Sequence, residues 1–201
     1  MLHCLLQDYS EESFELVGKV LRVNPDFYSL WNFRKELLQT LHKGLFDEAQ
    51  PLIPASAGAT LRDDELALTV DCIRKNPKSY GAWYHRQWVL MHFEADIAQE
   101  FHLCAQFLTL DERNFHCWNY RRWVADTFVR DEAERVQQEL EFSTEKINQN
   151  FSNYSAFHHR SFYIQRSPED PEQLIRQEFE LVMNALYTEP DDQSGWWYYS
   201  F

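Results

Sequence analysis

One block of residues recurs along this 201-residue chain, and it constrains the fold more than any other feature. A proline, an aromatic residue three positions on, a tryptophan three further and an arginine three further read Pro25, Tyr28, Trp31, Arg34, and then Pro77, Tyr80, Trp83, Arg86. A third copy puts Arg113 in the proline slot, with Phe115 one position early, then Trp118 and Arg121. A fourth runs Tyr154, Phe157, Arg160. A fifth starts at Pro190, reaches Trp196 and closes at Phe201 without an arginine; Ser200, or Tyr199 in the other register, stands in that slot. The pivots at 31, 83, 118, 157 and 196 lie 52, 35, 39 and 39 residues apart. Steps of about 35–40 residues suit a helix–turn–helix unit that stacks on its neighbours.

Residues three apart share a helical face, so the aromatic, the tryptophan and the arginine of each block belong together. The indole is expected to fill space between helices. The arginine is expected to stack on rings and to reach a carbonyl or a carboxylate. Trp and Arg in these blocks are therefore read first as core. The proline ends one helix and starts the next. A partner helix precedes each block: Leu66, Val70, Ile73; Phe101, Cys104, Leu108; Val136, Leu140, Ile147; Phe179, Val182, Leu186. No stretch alternates at period two for long enough to make a sheet. The fold class is all-α, an α–α superhelix of antiparallel helical hairpins. Residues 1–201 form one helical-repeat domain of about five repeats, the last incomplete. The step of 52 predicts a loop insertion over 51–60, because Pro51, Pro54 and Gly58 cannot sit in a helix interior.

A net charge of −13 argues against a nonspecific nucleic-acid binder. No apolar run reaches the length of a membrane span, and Met1–Leu6 lacks the basic flank of a signal peptide. The four cysteines (Cys4, Cys72, Cys104, Cys117) show no CxxC pairing, so reduced, buried thiols in a cytoplasmic protein are expected. His116-Cys117 has no second ligand pair at metal spacing, so no metal site is assigned.

Charge placement marks a candidate site. Between Asp71 and Glu94 there is no acid, while Arg74, Lys75, Lys78 and Arg86 fall there; between Glu112 and Asp126 stand Arg113, His116, Arg121 and Arg122. Lys78 and His116 fall in turns that enter helices, where N-termini favour anions. With Tyr80 beside Lys78, the set suits a phosphate or diphosphate; exposed loop cations are the alternative. No Ser-His-Asp order, glycine-rich phosphate loop or metal motif is visible, so a reactive centre would come from another polypeptide.

The blocks Asn24-Pro-Asp-Phe-Tyr-Ser-Leu-Trp-Asn-Phe-Arg34, Asn76-Pro-Lys-Ser-Tyr-Gly-Ala-Trp-Tyr-His-Arg86, Asp111-Glu-Arg-Asn-Phe-His-Cys-Trp-Asn-Tyr-Arg121 and Asn150-Phe-Ser-Asn-Tyr-Ser-Ala-Phe-His-His-Arg160 resemble the repeats of protein prenyltransferase alpha subunits. Copies two to four are nearest the Rab geranylgeranyltransferase branch, and Asp191-Asp-Gln-Ser-Gly-Trp196 resembles a fifth repeat. The resemblance runs from about Val20 onward and implies a crescent of hairpins around a beta subunit. That beta subunit would carry the zinc and the lipid pocket; no cofactor is expected in this chain. The implied activity is geranylgeranyl transfer from geranylgeranyl diphosphate to C-terminal cysteines of Rab GTPases delivered by a Rab escort protein, the alpha chain alone being inactive. By position, Lys78, Tyr80 and His116 would bind the diphosphate and stabilise its charge, with Asn114 bordering them. Gly81 stands where alpha subunits of CaaX-type enzymes carry a glutamine, which fits the Rab branch.

Two further readings stay open: a shortened, non-catalytic scaffold that binds the beta subunit or escort protein, and a TPR-like adaptor. The steps of 35, 39 and 39 and the Trp-x-x-Arg core disfavour the second. The arginine-less fifth copy leaves it undecided whether the chain is a fragment or a shortened product, and predicts a chain that is marginal without its partner.

Overall fold

A computed structural model describes residues 8–46 and 52–201; Met1–Leu6 with Cys4, and Pro51, lie outside them. Among the described residues ten helices follow in order: α1 (Glu11–Val23), α2 (Tyr28–Leu41), α3 (Ala55–Lys75), α4 (Tyr80–His92), α5 (Ile97–Leu110), α6 (Phe115–Phe128), α7 (Glu132–Gln149), α8 (Tyr154–Ile164), α9 (Pro171–Thr188) and α10 (Gln193–Tyr199). Among the described residues the β structure is one isolated bridge, Ile53 with Phe93. The all-α reading holds, and each sequence block forms the second helix of a hairpin. Two compact units divide the chain, residues 1–96 and 97–201, and each is described by itself. The first holds hairpins α1/α2 and α3/α4, with α1 against α3 and α2 against α4. The second holds α5/α6, α7/α8 and α9/α10, with α6 against α8 and α8 against α10.

Local chemistry sets the helix starts. Asn24, Asn76, Asp111 and Asn150 each accept a hydrogen bond from the backbone N–H two residues on, bending the chain between the helices of a hairpin. Asn114, Asn153 and Asp192 then cap α6, α8 and α10. Asp170 caps α9, with Pro171 in its first turn.

The carbonyl of the proline slot has a definite task. Trp31 Nε1 donates to Pro25 O (2.8 Å), Trp83 to Pro77 O (2.9 Å) and Trp196 to Pro190 O (2.8 Å). In the third copy Trp118 donates to Glu112 O at 2.8 Å. This corrects the register: Glu112, not Arg113, fills the proline slot, and Phe115 is in step. The Phe157 ring has no N–H and cannot make this bond.

The expected loop over 51–60 is corrected from Ala55 onward, where residues belong to the 21-residue helix α3. Pro54 sits at the N-cap, where a missing N–H costs little. Gly58 is inside the helix because space is short: a β-carbon there would lie 2.6 Å from Ile53 Cγ2 and 3.0 Å from Phe93 Cδ1. The bridge itself is held by Ile53 N–H donating to His92 O (2.7 Å) and Glu94 N–H donating to Ile53 O (2.8 Å).

Arginines of the blocks join one hairpin to the next. Arg34 donates from Nη1 to Phe14 O of its own hairpin (3.0 Å) and from Nε and Nη2 to Glu65 of the next (2.8 and 2.5 Å). Arg121 reaches Phe101 O (3.4 Å) and, with two nitrogens, Glu139 (2.8 and 2.9 Å). Arg160 reaches Leu140 O (2.8 Å) and Glu178 (2.9 and 2.6 Å). Each glutamate also accepts from its own hairpin, from the residue 20 positions on: His85 to Glu65 (2.7 Å), Tyr120 to Glu100 (2.7 Å), His159 to Glu139 (2.7 Å) and Tyr198 to Glu178 (2.5 Å). Tyr198 thus holds the position before the arginine, which places Tyr199 in the fifth arginine slot.

Burial alone would raise the Glu65 and Glu139 carboxyls. The histidine hydrogen bonds and the arginine charges overcome it and hold both below the usual carboxylate range. Glu139 is fully buried, whereas the Glu178 side chain is 16% exposed. Glu139→Ala leaves Arg121 as an unpaired buried charge and is expected to cost about 3–5 kcal/mol. Glu178→Ala, where water reaches the site, is expected to cost less. Urea unfolding midpoints of the two variants check the order.

Candidate functional site

The sequence-predicted residues fall at the first turns of two second helices, one in each unit. In the first unit, Asn76 closes the turn and accepts from Lys78 N–H at 3.1 Å. Lys78 is exposed in that turn. Ser79 is the N-cap of α4 but makes no side-chain cap bond, because its hydroxyl donates to Pro25 O at 2.8 Å. Tyr80 opens α4, is 45% exposed, and stacks with Tyr84 at 6.3 Å between ring centroids. An exposed lysine and an exposed tyrosine thus flank the N-terminus of α4, the end of a helix that favours anions.

In the second unit, Asn114 caps α6: its Oδ1 accepts from His116 N–H (3.0 Å) and Cys117 N–H (3.2 Å). Asn114 and His116 are both buried, and the His116 ring lies 3.9 Å from that of Phe115. The structure therefore pairs Lys78 with Tyr80 and Asn114 with His116. Asn114 has a capping role that the sequence reading did not assign.

The acid-free windows shrink once burial is known. Arg86 is buried, and its Nη1 donates to Leu66 O (3.0 Å) and Thr69 Oγ1 (2.9 Å). Arg121 is buried on Glu139, and Arg122 lies over the Phe162 ring at 3.7 Å. Arg113 donates to Ser152 O at 2.9 Å. Arg74, Lys75 and Lys78 remain exposed in the first window. The sequence signal was charge, and geometry assigns Arg86 and Arg121 to the core.

Gly81 has a packing reason of its own. A β-carbon there would overlap Trp31 Cδ1, lie 2.5 Å from Trp31 Nε1 and 3.3 Å from Pro25 O. The glutamates of the joints were missed in the sequence. Their signal was present: Glu65, Glu100, Glu139 and Glu178 each stand 18 residues before a pivot. Cys72 and Cys117 are buried thiols; burial raises Cys72 to about 12 and Cys117 well above its usual value, so neither is a nucleophile. Among the described residues no group of three or more His, Cys, Asp or Glu is placed to hold a metal ion, and no helix is long and apolar enough to cross a membrane.

The protein prenyltransferase alpha subunit repeat matches residues 10–41, 62–93, 97–128, 136–167 and 175–201, and these segments are the five hairpins just described. The chain belongs to this family. It is 44% identical to the Bos taurus geranylgeranyl transferase type-2 subunit alpha and 43% to that of Homo sapiens, in each case over 96% of this chain and 34% of the relative. The Saccharomyces cerevisiae subunit is 33% identical over 94% of this chain and 58% of its own length. The chain thus spans about a third of the length of the mammalian relatives it matches. Among solved structures, Candida albicans protein geranylgeranyltransferase-I complexed with GGPP matches with a TM-score of 0.73 and 25% identity, over 96% of this chain and 60% of that one. The hairpin fold of prenyltransferase alpha subunits is shared.

Gly81→Ala forces Trp31 out of its place and is expected to destabilise the first unit by about 1–3 kcal/mol, as overpacking does. In a Trp31→Leu background the same alanine should cost less. A double-mutant cycle of urea unfolding measures the coupling.

Proposed function

We propose that this chain acts as the alpha subunit of a type-2, Rab-directed geranylgeranyltransferase. The observation that carries the reading is the run of five matched repeats, 43–44% identical to type-2 alpha subunits over 96% of the chain. The substrate pair would be geranylgeranyl diphosphate and the C-terminal cysteines of Rab GTPases, presented by a Rab escort protein. A beta subunit would supply the lipid pocket and the zinc that would hold the Rab cysteine as a thiolate, and the complex would work in the cytoplasm.

Within that reading this chain's part is electrostatic. As the bond from the isoprenoid carbon to the diphosphate breaks, negative charge grows on the leaving oxygens. A fixed ammonium and helix N–H groups lower the energy of that charge more than that of the intact diphosphate. Lys78 supplies the ammonium and the first turn of α4 supplies the N–H groups. Tyr80 would donate its phenol proton to a phosphate oxygen. His116 and Asn114, at the first turn of α6, would bind phosphate oxygens in the same way.

The test is reconstitution with a beta subunit and an escort protein, followed by transfer of geranylgeranyl to a Rab. Lys78→Ala is expected to lower turnover about 10²-fold, the scale of losing one charge-stabilising donor. Assembly, measured by sedimentation, should be unchanged. Unchanged turnover removes Lys78 from the site. A complex that forms and never transfers favours the scaffold reading instead.

A further inference from the structure

The joints between hairpins are not built alike. Helices α3, α5, α7 and α9 each carry a glutamate to which the residue 20 positions on donates, and those on α3, α7 and α9 also bind an arginine of the preceding hairpin. Two donors are phenols, Tyr120 and Tyr198. Two are imidazoles, His85 and His159. A phenol has one polar atom, and the glutamate satisfies it. An imidazole has two. Nε2 of His85 and of His159 is engaged at 2.7 Å by the carboxylate, while Nδ1 of each is buried without a hydrogen-bond partner. A neutral ring with its proton on Nε2 leaves only a bare lone pair at Nδ1. A protonated ring would point a second N–H into packed surroundings with no acceptor.

The neighbours make that second proton harder to hold. The His85 ring lies 4.7 Å from Trp31 on α2 and 5.6 Å from Trp88 on its own helix. The charged groups acting on it are Glu65 from α3 and Arg34 and Lys35 from α2. The His159 ring lies 4.8 Å from Trp118 on α6 and 5.1 Å from Tyr163 on its own helix. The charged groups acting on it are Glu139 from α7 and Arg121 and Arg122 from α6. In both places two cations and one carboxylate already act on the ring. A protonated imidazole would be a third cation.

We propose that His85 and His159 make the Glu65 and Glu139 joints acid-labile, one in each unit, so that mild acid opens them while the tyrosine-to-glutamate bonds of Tyr120 and Tyr198 stay closed. Burial holds both imidazoles below the ordinary histidine value, against the pull of their glutamates. Once released from the core, each ring binds a proton with the ordinary value of about 6.5. The joint is therefore at full strength above about pH 6.5 and weakens as pH falls below it. The open-to-closed ratio rises roughly tenfold per pH unit per histidine, until the folded-state value is reached. Glu65 and Glu139, held low in the folded chain, add to the loss only nearer the carboxylate range.

Hydrogen exchange read by mass spectrometry on the full chain, between pH 7.5 and 5.5 and corrected for intrinsic rates, tests this. Below pH 6.5 the opening constants of peptides from α4 and α8 should rise about tenfold per unit. His85→Tyr should flatten the slope in α4 and leave α8 unchanged; His159→Tyr should do the reverse. Both variants copy a donor the chain already uses at the same joint position. Slopes that the tyrosines do not change overturn the proposal. Should either variant fail to fold, the ring resonances of the wild-type histidines decide. Neutral rings at His85 and His159 down to pH 5.5 support the proposal, and titration in the folded chain at 6.5 or above overturns it.

Discussion

A buried carboxylate that must be satisfied from two sides is the constraint on which the stacking depends. Glu139 sits between hairpins, takes two hydrogen bonds from Arg121 of the preceding hairpin and one from His159 of its own, and is fully removed from water. Taking an ion out of water costs several kcal/mol, recovered only when geometry and partners are complete. A slipped hairpin would strand the carboxylate, the guanidinium or both. The joint therefore selects a register more than it adds net stability. Glu65 with Arg34 and His85, and Glu178 with Arg160 and Tyr198, repeat the device.

The indole bonds do for the loops what the glutamates do for the helices. Trp31, Trp83, Trp118 and Trp196 each tie the second helix of a hairpin to the carbonyl six residues back. At Trp31, Trp83 and Trp118 the turn before the helix is fixed by the same ring that fills the core, whereas the Trp196 ring, expected in the core, is 51% exposed. Lys78 and Tyr80 lie in and just after the turn held by Trp83, and Asn114 and His116 just after the turn held by Trp118. The candidate functional groups thus sit in or beside turns whose backbone is held by the indole bonds. Function and core use the same block of residues, offset by a few positions.

Much of this was readable in the sequence, and the residues show why. The Trp-x-x-Arg blocks announced hairpins because large rings and guanidinium groups at helical spacing have few other uses. The phase of the third copy was misread because proline was taken as the marker, whereas the required group is a backbone carbonyl that any residue can supply, as Glu112 does. The helix over 55–60 was missed because Pro54 and Gly58 were read by propensity. One stands where a helix tolerates proline and the other where Ile53 and Phe93 leave no room for a side chain. The glutamates were hidden because a lone acid on an amphipathic helix looks like solvent-facing charge. Only the shared spacing to the pivots, or the structure, shows that it faces inward.

Gly81 shows how packing and specificity can fall on one atom. In the sequence the glycine spoke through an absent amide and so for one branch of the family. In the structure any β-carbon at 81 meets Trp31 and the Pro25 carbonyl, so glycine would be required here whatever the substrate. The absent amide is then no independent sign of the branch. The branch rests instead on identity over the whole run of repeats, 43–44% with type-2 alpha subunits against 25% with the type-I structure. The same geometry couples the two properties. A side chain at 81 can enter only if the indole that anchors the first hairpin's turn gives way, so a change of specificity at this position would have to begin with a change in the core.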